Sequence, residues 1–89
     1  MTTHASHPDI IKRLKRAEGH LKSIIAMLEE GRACLDIAQQ LQAVESAVGN
    51  AKKTLVHDHI DHCLELAVGA DSHQARASID EFKEITKYL

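Results

Sequence analysis

Two stripes of apolar residues, each advancing in steps of four and three, constrain the fold of this chain more than any other feature. The first stripe comprises Ile10, Leu14, Ala17, Leu21, Ile24 and Leu28, and the second comprises Ile37, Leu41, Val44, Val48, Ala51 and Leu55. Such steps align side chains along one face of an α-helix and are typical of helices that pack side by side. No alternating strand pattern competes with them, so the predicted fold class is all-α.

Start and stop signals divide the chain into three predicted helices. Pro8 suits a first helical turn, and Gly31 in the segment EEGRA ends the first helix. The second helix is predicted from about Cys34 to about Val68. After the loop GADS, Ser72 is the predicted N-cap of a short third helix. The apolar positions of this third helix are Ala75, Ile79, Phe82 and Ile85.

The size of the chain predicts one small domain that pairs with further copies of itself. We expect a single domain over residues 1 to 89, of which residues 1 to 7 form a flexible leader. One Phe, one Tyr and no Trp make a thin core, and oligomerisation is the usual remedy for a chain of this size. No apolar run is long enough to span a membrane, so a cytoplasmic protein is expected. Its two cysteines are then free thiols or metal ligands.

The charges are unevenly distributed along the chain. Residues 1 to 25 contain five basic and two acidic side chains, a balance of +3, whereas residues 54 to 89 contain three basic and seven acidic ones, a balance of −4. A solvated helix face is the common explanation of a basic run. The alternative is a surface for an anionic partner, which the overall net charge of −2 does not suggest by itself.

The segment VHDHIDHC, residues 56 to 63, concentrates histidines near the end of the second predicted helix. On a helix, His59 and Cys63 are an i, i+4 pair on one face, which suits two ligands of one metal ion. His57 lies on the opposite face. A solvent-exposed histidine and a buried cysteine acting as a small apolar residue are the competing explanations for each residue taken alone.

Cys34 is the only other thiol that could complete such a site. It precedes His59 by 25 residues on the same predicted helix, which corresponds to about 37 Å. The two residues therefore meet only if two copies of the helix lie antiparallel, so that Cys34 of one chain faces His59 and Cys63 of the other. A two-fold axis would then produce two sites per dimer.

No assembled catalytic motif occurs in the sequence. It lacks H-E-x-x-H, C-x-x-C, a Gly-rich phosphate loop and G-x-S-x-G. We therefore expect a protein that is not an enzyme and has no small-molecule substrate.

Three segments resemble the CsoR/RcnR family of bacterial metal-responsive repressors. They are RLKRAEGHL (13–21), MLEEGRACLDIAQQLQAVESAV (27–48) and HDHIDHC (57–63), and Cys34, His59 and Cys63 fit the ligand spacing of the family. The resemblance implies a three-helix protomer that forms antiparallel dimers and tetramers, with the metal site shared across the dimer. It also implies that Glu81 supports the ligands. Binding of metal is expected to weaken the binding of double-stranded operator DNA.

The resemblance also suggests the DNA contacts and the metal. The basic residues that it implies for DNA are Arg13, Lys15, Arg16, Lys52 and Lys53. The leader HASHP and RLKRAEGHL are similar to NreA-type nickel-responsive members, so Ni(II) is the expected metal, with His4 or His7 as a fourth ligand and His62 in reserve. Cu(I), which accepts three soft ligands, is the alternative, and Co(II) is a further one. A metal-buffering protein without a DNA role and a plain helical adaptor are the rival functions.

Overall fold

The computed structural model describes residues 5 to 68 and 71 to 89, and these residues form three helices and no strand. Helix α1 spans His7–Glu29, α2 spans Cys34–Ala67 and α3 spans Ser72–Ile85, followed by a 3-10 turn at Thr86–Tyr88. The all-α prediction is confirmed. The long second helix was predicted to within one residue of its observed end.

Helix α1 begins at His7 and ends in a glycine motif. His7 and Pro8 both belong to the first turn, so the helix starts one residue earlier than Pro8 alone indicated. At the other end, Gly31 has a φ of 71°, the left-handed conformation that glycine adopts without strain. The amides of Gly31 and Arg32 donate to the carbonyls of Leu28 and Met27, the pair of hydrogen bonds that defines a Schellman motif.

Helix α3 is capped by Asp71, one residue before the predicted Ser72. The Asp71 backbone is extended, and its side chain accepts a hydrogen bond of 2.8 Å from the amide of Gln74. Aspartate and serine cap helices about equally well. The choice between two adjacent capping residues depends on where the loop ends, which propensity alone does not determine.

The chain divides into two compact units. The unit Pro8–Lys52 contains most of α1 and the N-terminal half of α2. Its core consists of Ile24, Ile37 and Val44, with Met27 packed against them. The second unit comprises Lys53–Leu89 with the described residues before Pro8. In it, Val56 and Cys63 are the fully buried side chains.

Only half of each apolar stripe is buried within the protomer. In α1, Ile10, Ala17 and Ile24 are buried, and in α2 Ile37, Val44 and Ala51 are buried, all at intervals of seven residues. The intervening residues Leu14, Leu21, Leu41 and Val48 remain between 42 and 45 % exposed. In the unit Lys53–Leu89 the buried α2 residues are Val56 and Cys63, and Leu55 of the predicted stripe is 38 % exposed. No described helix combines the length and the apolar character that crossing a bilayer requires.

Candidate metal centre

Three side chains of the unit Lys53–Leu89 converge at one point. His59 and Cys63 lie one turn apart on α2, and Glu81 approaches them from α3. One ligand atom from each side chain lies within 4.8 Å of the other two. The Nε2 atom of His59 is 3.1 Å from a carboxylate oxygen of Glu81. Among the described residues this is the group suited to hold a metal ion.

The dimensions and the chemistry of the group fit a transition metal. Protein nitrogen, sulfur and oxygen ligands lie about 2.0 to 2.3 Å from such an ion, so two ligands of one ion are at most about 4.6 Å apart. The ligand atoms of the group lie within 4.8 Å of one another, a separation close to this limit. A thiolate and an imidazole favour zinc, copper, nickel or cobalt over the hard cations magnesium and calcium.

The contact between His59 and Glu81 determines which ring nitrogen serves as the ligand atom. A carboxylate accepts hydrogen bonds, so Nε2 of His59 carries the proton that it donates to Glu81. Nδ1 then carries the lone pair. A carboxylate in this position fixes the tautomer and the orientation of a metal-binding imidazole and raises its basicity. With Nδ1 as the ligand atom, Glu81 supports His59 from the other side of the ring and is not itself a ligand.

The thiol of Cys63 is protonated more firmly than an ordinary cysteine. Cys63 is only 1 % exposed. Burial raises its pKa above the usual value of 9.0, and the negative charge of Glu81 raises that pKa further. Because a thiolate is the species that binds a metal, occupation of this site releases a proton from Cys63.

Cys34 lies apart from this group. It is the first residue of α2, is exposed, and is not a member of the group formed by His59, Cys63 and Glu81. Because α2 is helical from Cys34 through His59, the 25 residues between them correspond to about 37 Å of helix. Cys34 would therefore reach such a site only on a second chain.

Of the remaining predicted ligands, the described residues include His62 and His7. His62 is half-buried, and its ring centroid is 6.4 Å from that of His59, yet it is not a member of the group. His57 is exposed. His7 begins α1 and is also not a member of the group, whereas His4 lies outside the described residues. Ser6, which directly precedes His7, donates a hydrogen bond to Asp58 of α2, the neighbour of His59.

All five residues predicted to contact DNA are exposed. Arg13 and Arg16 line a groove in the unit Pro8–Lys52, and Lys15 does not. Lys52 and Lys53 lie on α2 at the boundary between the two units. The groove also contains Lys12, His20 and Asn50, which the sequence prediction omitted. The sequence does contain a pattern that indicates this groove. Lys12, Arg16 and His20 follow one another at intervals of four residues, which places them on one face of a helix.

Comparisons with known proteins agree with this architecture. The family model for metal-sensitive transcriptional repressors matches residues 6–88. Among solved structures, the nickel-responsive transcriptional regulator InrS superposes with a TM-score of 0.82 at 26% sequence identity, over 100% of this chain and 99% of InrS.

Curated relatives include two copper-sensing transcriptional repressors named CsoR. The protein from Mycobacterium ulcerans (strain Agy99) is 40% identical over 78 residues, which are 88% of this chain and 65% of that protein. The protein from Bacillus subtilis (strain 168) is 41% identical over 80 residues, covering 88% of this chain and 79% of the relative. The chain thus spans slightly less than two thirds of the mycobacterial relative. With nearly its whole length matched, the chain belongs to the family of metal-sensitive transcriptional repressors.

Proposed function

We propose that this protein is a nickel-responsive repressor that binds double-stranded operator DNA when metal-free and leaves it when Ni(II) is bound. The observation that carries the proposal is the convergence of His59, Cys63 and Glu81 in a chain of this family. Such a sensor is expected to control genes for metal efflux or resistance. The groove lined by Arg13 and Arg16 is a basic surface with which DNA could interact, and a protein that only buffers metal would not need it.

The proposed site is shared between two protomers. Cys34 of one chain would join His59 and Cys63 of its partner, because the length of α2 separates these residues within a chain. The exposed rows that contain Leu14, Leu41 and Val48 provide an apolar surface for antiparallel pairing. We infer a dimer that assembles further into a tetramer. A thiolate-rich site at such an interface links metal binding to the relative arrangement of the protomers.

The leader supports a preference for nickel. Ni(II) favours four ligands, often in a square-planar set of nitrogen and sulfur atoms. The hydrogen bond from Ser6 to Asp58 attaches the residues before α1 to the helix that carries His59 and Cys63. His7 follows Ser6 directly, and His4 precedes it by two residues. His4 or His7 is the proposed fourth ligand, with His62 as the reserve.

Cu(I) sensing is the second candidate, and a separate observation favours it. The two curated relatives at about 40% identity are described as copper-sensing. Cu(I) accepts three soft ligands, so Cys34, His59 and Cys63 would suffice without the leader. Removal of the leader should therefore weaken the binding of Ni(II) but not that of Cu(I).

The decisive experiment measures the release of DNA by each metal. Fluorescence anisotropy of a labelled duplex from the DNA beside this gene follows binding by the metal-free protein, and Ni(II) or Cu(I) is then titrated anaerobically. Nickel should release the DNA from the full chain, and deletion of residues 2 to 7 should weaken this response while leaving Cu(I) affinity nearly unchanged.

Two results would contradict parts of the proposal. If only Cu(I) releases the duplex from the full chain, the protein is a copper sensor. If the metal-free protein binds no duplex even at low salt, where phosphate contacts are strongest, the repressor function itself is wrong. Lys53→Ala tests whether a predicted DNA contact matters, and circular dichroism confirms that this variant is folded.

A further inference from the structure

A basic groove lies between α1 and the middle of α2, within the unit Pro8–Lys52. Its volume is about 420 Å³, larger than a single phosphate group. The wall from α2 is formed by Ala47 and Asn50, neither of which is charged. The wall from α1 contains every charged lining residue, namely Asp9, Lys12, Arg13 and Arg16, together with Ala17 and His20.

Two of the three cations in this groove have no acidic partner in the described part of the protomer. Arg13 donates from Nε to the carboxylate of Asp9 at 2.8 Å. Among the residues that the structure describes, neither Lys12 nor Arg16 forms an ion pair. Lys12 and Arg16 are one helical turn apart, so their charges project on the same side of α1. Their mutual repulsion decreases when an anion lies between them.

His20 lies one further turn along the same face and is held by α2. Its Nε2 atom is 2.5 Å from Oε1 of Gln40. An amide oxygen only accepts hydrogen bonds, so Nε2 of His20 carries the hydrogen. The other ring nitrogen, Nδ1, is an acceptor in the neutral ring and becomes a donor when the ring is protonated. His20 can thus donate to an anion in the groove only in its charged form, while it remains bonded to Gln40.

We propose that this groove binds a phosphate group through Lys12, Arg16 and protonated His20, and that Asp9 limits this binding by holding Arg13. The inference rests on the proposed function for the source of the phosphate, which is the backbone of the bound duplex. It adds Lys12, His20 and Asp9 to the residues that govern DNA affinity. Formation of this contact by a neutral His20 ring requires the uptake of one proton, so DNA binding depends on pH.

The proton uptake is measured by fluorescence anisotropy with the labelled duplex at several pH values, on metal-free protein in the presence of a chelator. Above neutral pH, log Kd should rise with pH with a slope approaching about one, as for uptake of one proton. His20→Gln should remove this slope. The matched control, His73→Gln, changes an exposed histidine of α3 and should retain it. Equal slopes in the two variants would refute the role of His20.

The charges are tested by two matched pairs of variants. Lys12→Gln should weaken DNA binding and lower the salt slope of log K by about one, whereas Lys22→Gln on the same helix, outside the groove, should change binding less than twofold. Asp9→Asn should tighten binding because it frees Arg13, and Glu18→Gln, which changes net charge equally, should not. If the two members of each pair behave alike, only the general charge matters and the groove is not a phosphate site.

A final arm separates this inference from the proposed function. Inorganic phosphate is titrated into the protein without DNA, and the imidazole resonances of His20 are followed by NMR, with His20→Gln used for their assignment. If no duplex is bound but phosphate shifts these resonances, the groove is a site for free phosphate and the DNA source is wrong. If the duplex is bound while phosphate and the matched variants show no effect, the phosphate site is wrong and the repressor function stands.

Discussion

At the scale of single residues, the Glu81 carboxylate of the candidate metal centre has two opposing effects. The charge of Glu81 raises the pKa of Cys63 and thus opposes formation of the thiolate. The same carboxylate accepts a hydrogen bond from His59 and keeps Nδ1 available as a ligand. In the metal-free protein Cys63 is therefore held as an unreactive thiol, while His59 is already oriented.

The two cysteines should consequently differ in reactivity. In metal-free protein near pH 7, the thiol of Cys34 in the Cys63→Ala variant should react with an aromatic disulfide reagent at least about tenfold faster than Cys63 in Cys34→Ala. Cys34 is exposed, whereas Cys63 is buried and has a raised pKa. Raising the pH should accelerate Cys63, and both thiols should react alike in denaturant. Equal rates in the folded proteins would show that Cys63 is not protected.

Replacement of Glu81 should separate its two effects. Glu81→Gln removes the charge that raises the pKa of Cys63, so the thiol of the metal-free variant should react faster than that of the parent chain. Metal affinity should nevertheless fall, by about 10- to 100-fold, because His59 loses its supporting carboxylate. Thiol kinetics and a competitive metal titration measure the two quantities. Asp80→Asn, a neighbouring change outside the ligand group, is the control and should leave both unchanged.

At the scale of helices, local sequence rules determine where each element ends. Gly31 closes α1 because its positive φ allows two hydrogen bonds to the last carbonyls. Gly19 lies inside the same helix, where a methyl group would meet no other atom of the chain within 4 Å. The same residue type thus stabilises a helix end at one position and weakens a helix interior at the other.

Alanine at these two positions should have opposite effects on stability. Gly31→Ala should lower the free energy of unfolding by about 1 to 2 kcal/mol, the cost of a side chain in the left-handed region. Gly19→Ala should raise it by about 0.5 to 1 kcal/mol, because alanine is the better residue in a helix interior. Urea denaturation at a fixed protein concentration measures both, since oligomerisation makes stability depend on concentration. Two changes of the same sign would contradict this account.

The apolar periodicity predicted the helices well because it is a local property of α-helical geometry. Which half of each stripe is buried was not predictable, since Leu14 and Ala17 fit the same helical face and the neighbouring helix selects between them. The spacing of His59 and Cys63 predicted that they share one helix face, and their side chains lie together beside Glu81. Glu81 lies on a different helix beyond a loop, and only family resemblance indicated it. Lys12 and His20 of the groove were not predicted, because the sum of charges along a segment does not show which side chains share a helical face.

At the scale of the whole molecule, the proposed site requires more than one chain. The protomer leaves the rows with Leu14, Leu21, Leu41 and Val48 exposed, and its small core alone gives little stability. We expect a dimer or tetramer at micromolar concentration by light scattering. A charged substitution within the rows, Val48→Asp, should produce smaller species and lose the thiolate-to-nickel absorption bands. A folded monomer that keeps these bands would rule out the shared site.

Mixing two inactive variants tests the shared site most directly. Cys34→Ala and Cys63→Ala should each lack the near-ultraviolet bands of nickel bound by two thiolates, because each homodimer lacks one of the required sulfur ligands in both sites. When equal amounts are unfolded and refolded together, half of the dimers contain one chain of each kind. In such a dimer, Cys34 from the second variant and Cys63 from the first meet in one intact site, and the other site lacks both thiols. Random pairing therefore restores about one quarter of the parental absorption. A site contained within one chain would give no recovery on mixing, since neither chain carries both cysteines.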